Sequence, residues 1–124
     1  MKERISFSFL TFKVTIELRD TAPSEWAETA VGGCYDEPDK DRTFRMWFLM
    51  KNEDDYSLPS LKIIAHECWH LFMTIMNHVD KWEHTFEELN NEIYAYNFHM
   101  LFSMVLDSIL DSKSYRKMAE EKEN

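Results

Sequence analysis

Residues 66–70 read His66-Glu67-Cys68-Trp69-His70, which places two imidazoles and a carboxylate within five positions. On an α-helix, side chains four apart stand one above the other, with Cβ atoms ~5–6 Å apart. Both rings therefore reach one cation without distorting the backbone. Imidazole pairs are common zinc donors, and the glutamate beside the first histidine is placed to reach a water on the ion rather than the ion itself. The chemistry implied is hydrolysis, in which a metal acidifies water and a carboxylate takes its proton. The plainer reading is a surface helix carrying two unrelated histidines. The apolar run Ile63-Ile64-Ala65 just before the motif argues for a helix with a buried face.

A catalytic zinc takes three protein ligands and keeps one position open. Downstream donors are His78, Asp80, His84, Glu87, Glu88, Glu92 and His99. His78, Asp80 and His84 fall at the end of the motif helix or in its connector, where the chain would have to double back over two turns. Thr85-Phe86-Glu87-Glu88 reads as a capping box that occupies Glu88. Glu92 lies one turn further, on a helix that should pack antiparallel to the first, and it is the preferred third ligand. The competing reading of Glu92 is a solvated helix-surface carboxylate.

These donors need a scaffold, and the patterning supplies one. Ile5, Phe7 and Phe9 alternate with serines; then the parity changes, and Phe12, Val14, Ile16 and Leu18 alternate with polar residues. That is strand periodicity with a bulge or break near Leu10–Thr11. A second strand is expected over residues 26–35, with Gly32 and Gly33 inside it, and a third over 43–50 after the polar hairpin loop 36–41. From Ser57 or Ser60, either of which could be the N-cap, helical spacing runs to about Asn77 through Ile64, Cys68, Leu71 and Ile75. A second long helix follows to about Asp111, with Leu89, Ile93, Tyr96, Met100 and Met104 on one side. The expectation is an α+β domain over residues 1–112, built as a small, mostly antiparallel three-stranded sheet followed by two long packed helices. Residues 113–124, mostly charged, are expected to fray as a tail.

The combination of His66-Glu67 and His70 with Asn91-Glu92 on the next helix resembles the gluzincin branch of zinc metallopeptidases. More narrowly, with Ala95-Tyr96 it is similar to short phage- or prophage-type zincin-like proteins. The resemblance covers about residues 30–100. It implies a minimal zincin-like domain with one Zn2+ per chain held by His66, His70 and Glu92, and Glu67 as general base in peptide-bond hydrolysis. It also implies that the strand containing Gly32 and Gly33 borders the cleft and pairs with extended substrate; a hairpin bulge at the two glycines is the equal alternative. In larger gluzincins an acidic residue one turn beyond the third ligand supports a zinc-bound histidine, and that position here is Tyr96. The oxyanion of hydrolysis needs a donor besides the metal; Tyr35, Tyr94, Tyr96 and His99 all remain open for that part.

Composition limits the partners. The 124 residues carry 14 Lys+Arg against 23 Asp+Glu, a formal charge of −9, so nucleic acid and anionic membrane surfaces are poor partners. The partner expected is a peptide or protein substrate. Hydrophobic residues make up 44% of the chain, enough for a core without staples. Two cysteines make no disulfide framework, and no signal peptide or spanning segment is read, so a cytoplasmic protein with reduced thiols is expected. Oligomeric state is not legible here. The alternative to a peptidase is a catalytically inactive, zinc-stabilised protein-interaction module on the same fold.

Overall fold

The computed structural model describes residues 3–50, 59–80 and 91–123. The Thr85–Glu88 capping box, Leu89 and the Ser57 alternative cap lie outside them. The chain begins with β1 (Glu3–Phe9) and β2 (Phe12–Arg19), paired antiparallel through a two-residue loop. The parity change at Leu10–Thr11 is this loop. Phe9 pairs with Phe12, Phe7 with Val14 and Ile5 with Ile16, so both apolar sets share one face. Leu10 takes the tight turn at φ 54°, in the left-handed region.

Two more strands follow, β3 (Gly32–Cys34) and β4 (Thr43–Leu49). Among the described residues the sheet has four strands in the order β1-β2-β4-β3, with β2 and β4 parallel and the outer pairs antiparallel. The class is α+β as expected, but the three-stranded, mostly antiparallel sheet is corrected to a four-stranded mixed one. The cause is the first segment folding back on itself and presenting β2, not β1, to β4. β2 and β4 are buried on both faces, the setting in which parallel pairs occur. The expected strand over 26–35 shrinks to three residues. Ahead of it the chain turns: the Trp26 N–H donates to the Pro23 carbonyl and the Ala30 N–H to that of Ala27.

Helix α1 (Leu61–Asp80) is capped by Ser60, whose hydroxyl accepts from the Ile63 N–H at 3.3 Å. Ile64, Cys68, Leu71 and Ile75 are buried in one core with Val14, Ile16 and Leu18 of β2 and Phe44, Met46 and Phe48 of β4. Helix α2 (Glu92–Leu110) is capped by Asn91, whose side-chain oxygen accepts from the Ile93 N–H at 2.7 Å. It packs on α1 antiparallel. Tyr94 meets Phe72 at 6.0 Å between ring centroids, and Phe98 meets Trp69, a turn earlier in α1, at 5.4 Å.

These aromatic contacts choose the buried face of α2. Leu101, Val105 and Ile109 face the core, while Ile93 and Tyr96 are 66% and 65% exposed. The stripe Ile93-Tyr96-Met100-Met104 is therefore not the buried one. Both sides of this helix are apolar enough to read as a core face, and only tertiary contacts separate them.

The charged C-terminal segment is helical. It forms α3 (Lys113–Glu123), and its first turn is tied down at both levels. Ser112 Oγ accepts from the Tyr115 N–H at 3.0 Å, and the Glu3 carboxylate of β1 accepts from the N–H groups of Lys113 and Ser114 and from the Ser114 hydroxyl. Burial alone would push Glu3 up; the Ser114 and Lys113 hydrogen bonds outweigh it and hold the carboxyl below its usual range. A depressed carboxyl contributes stability above its unfolded value and loses it as pH falls through the folded one. Circular dichroism of the wild type should thus show α3 helicity falling with acidification below about pH 4.5, whereas Glu3→Gln should already be lower at neutral pH and flatter over the same range. A wild-type signal that acid leaves unchanged contradicts this tie. No helix among the described residues is long and apolar enough to cross a membrane.

Candidate metal centre

The middle of α1 carries the motif on the flank that its buried stripe leaves free. His66 and His70 are exposed and Glu67 is half-buried. One turn of helix separates the two imidazoles, which meet edge to face with ring centroids 4.6 Å apart. Their Nε2 atoms lie 3.1 Å apart. Two nitrogens at ~2.05 Å from a tetrahedral zinc stand ~3.3 Å from each other, so the pair fits a shared cation with little adjustment. A ligand atom of Glu67 joins them, the three donors lying within 4.8 Å of one another. No other such trio occurs among the described residues. Burial pushes the Glu67 carboxyl up, and the two imidazoles oppose the shift without cancelling it.

Glu92 stands apart from this trio. It is exposed at the first position of α2, where a negative charge favours the helix N-terminus. The structure thus brings together His66, Glu67 and His70 but does not bring the Glu92 carboxylate among them.

The motif faces a cavity of about 580 Å³. Helix α1 supplies one wall with His66, Glu67, His70 and Thr74; the other comes from Cys34, Tyr35 and Asp36 at the end of β3, with Glu25 and Trp26 from the loop before it. Strand and helix lie close. A Cβ on Gly32 would sit 3.3 Å from Ile63 Cγ2 and 3.2 Å from Phe48 Cδ1. On Gly33 it would sit 2.5 Å from Trp47 Nε1 and 2.7 Å from the Trp26 ring. Neither glycine has a positive φ, so the pair serves close packing here, and the approach it permits at Gly33 is made by the chain's own indoles.

Of the four oxyanion candidates, Tyr35 lines the cavity and the other three do not. The Tyr35 hydroxyl donates to Glu25 Oε1 at 3.2 Å, its ring lies under the Arg45 guanidinium at 4.1 Å, and Trp26 meets it edge to face at 5.8 Å. Burial and the Glu25 charge push its phenol up. Tyr94 packs against Phe72, while Tyr96 and His99 point outward as exposed residues of α2.

Glu25, Trp26, Asp36 and Thr74 belong to the cavity but were not singled out by motif or spacing. The strand reading of 26–35 hid Trp26, and Glu25 falls between that stretch and the turn expected at Thr21–Ser24. Cys34 and Cys68 are both free, and burial pushes each thiol up to about 12. A thiol so shifted stays protonated, in keeping with Cys68 as a buried apolar residue. Comparison with protein-family models, with curated proteins and with solved structures yields no match to this chain.

Proposed function

We propose that this chain is a minimal gluzincin-type zinc peptidase with a zincin-like domain. The observation that carries the reading is the 3.1 Å approach of two imidazole nitrogens, with the Glu67 carboxylate beside them, at the mouth of a cavity walled by a sheet edge. Two neutral imidazoles suit a borderline-soft divalent ion, and a carboxylate completes the usual catalytic set. His66 and His70 would hold the zinc, with Glu92 of the next helix as third ligand. When bound, the ion lowers the pKa of water and polarises a carbonyl.

The remaining chemistry belongs to the chain. Glu67 accepts the proton of the attacking water and passes it to the leaving amine. Its half-buried position favours that part, since a carboxylate partly removed from water holds a proton more readily. β3 orients an extended substrate along the cavity wall. Of the four candidates Tyr35 is the one that lines the cavity, and to serve the oxyanion its hydroxyl would turn its single proton away from Glu25 Oε1.

Metal analysis tests the site. Protein purified without added zinc is expected to carry about one zinc per chain, lost in His66→Ala and in Glu92→Ala. Chelation should lower the melting temperature, because an ion present at ~1,000 times its dissociation constant stabilises the fold by ~4 kcal/mol. Unchanged zinc in Glu92→Ala removes Glu92 from the ligand set. Bound zinc without cleavage of any peptide leaves the interaction-module reading in its place.

A further inference from the structure

The wall facing the His66–His70 pair is acidic. Glu25 and Asp36 line the cavity there, and among the described residues neither lysine nor arginine does. A second cavity of about 400 Å³ shares Asp36 and Thr74 with the first, adds Glu37, and again has no lysine or arginine among the described residues of its lining. The two make a continuous acidic trough along α1.

Glu25 is held ionised. A hydrogen bond from its own backbone N–H and those from the hydroxyls of Tyr35 and Ser24 keep its carboxyl below the usual range. Asp36 and Glu37 are exposed and form no ion pair with any described residue. The rings of Trp26 and Tyr35 stand beside Glu25, giving flat apolar surface next to negative charge. Arg45 is stacked on the Tyr35 ring and Arg19 acts on Glu25, and neither is among the described residues that line the cavity.

We infer that the trough selects peptides bearing a lysine or arginine side chain, seated between Glu25 and Asp36 with its aliphatic stem along Trp26 and Tyr35. The inference rests on the peptidase reading for the place where substrate lies. Charge-assisted pairing inside a cleft is stronger than on an open surface, because the low-dielectric walls focus the field. Aromatic faces favour cations, and long basic side chains bury their stems while the head stays with its partner. An acidic peptide would instead set its carboxylate against Glu25, Asp36 and Glu67, within a chain of net charge −9.

The test is fluorescence anisotropy with labelled peptides identical except for one residue, Lys, Gln or Glu. Each is titrated with wild-type protein, with zinc and with chelator, and hydrolysis is followed on the same peptides. At low salt the Lys peptide should bind roughly tenfold more tightly than the Gln peptide, and the gap should narrow as salt rises. Glu25→Gln combined with Asp36→Asn should bring the ratio close to one. Both side chains are exposed, so the melting temperature reports that the fold is kept, and the single variants should each give part of the loss. Equal affinity for Lys and Gln peptides in the wild type, or a ratio that survives the double substitution, overturns the inference. Hydrolysis without basic preference defeats this inference and spares the peptidase; basic-peptide binding by zinc-loaded protein that cleaves nothing does the reverse.

Discussion

Glu67→Gln is expected to lower peptide hydrolysis by ~10²–10⁴-fold, the usual contribution of a positioned general base, while leaving the zinc content at the wild-type level. The amide is nearly isosteric with the carboxylate, so the half-buried side chain keeps its place between α1 and the β3 end. What it loses is the ability to accept a proton. The measurement pairs kcat/KM on a peptide substrate with metal analysis of the same sample. A structural zinc site has no use for a base at this position. Loss of zinc in Glu67→Gln would mean that the carboxylate is itself a ligand, which is open to it because its donor atom lies within 4.8 Å of both imidazole nitrogens. Undiminished hydrolysis would remove Glu67 from the chemistry altogether.

The trio was legible because it is local. His66, Glu67 and His70 lie within two turns of one helix, and helical periodicity alone sets the distance between them. The core face of α1 was legible for the same reason, since Ile64, Cys68, Leu71 and Ile75 repeat at helical spacing and all four are buried. What depends on tertiary contacts was not. The parity change at Leu10 is equally consistent with a bulge and with a two-residue hairpin, and the difference adds a strand to the sheet and changes the neighbour of β4. The buried side of α2 is decided by Phe72 and Trp69 reaching Tyr94 and Phe98, which no pattern within α2 reveals. The acidic wall joins Glu25, from a loop well ahead of β3, to Asp36 just beyond the end of that strand. The C-terminal helix has a charged, polar sequence that alone reads as a tail, and it is anchored by Glu3 from the other end of the chain.

Gly33→Ala is expected to destabilise the protein by ~3 kcal/mol, at the upper end of what one added methyl costs in a packed interior. The new Cβ would lie 2.5 Å from Trp47 Nε1 and 2.7 Å from two ring atoms of Trp26. Neither obstacle yields easily: Trp47 is fully buried, and its indole meets that of Trp26 at 5.6 Å between centroids. Backbone movement is the remaining relief, and β3 is fixed on one side to β4 through Gly33 opposite Trp47, with α1 against Gly32. Displacing β3 moves Cys34, Tyr35 and Asp36, so the cavity wall shifts along with the loss of stability. Denaturant unfolding gives the cost. Trimming an obstacle gives the control, since Trp26→Leu in the Gly33→Ala background should recover part of the loss, a coupling that independent sites do not show. A stable Gly33→Ala protein would mean that the indoles can open without penalty, and that close packing at Gly33 is not what holds β3 in place.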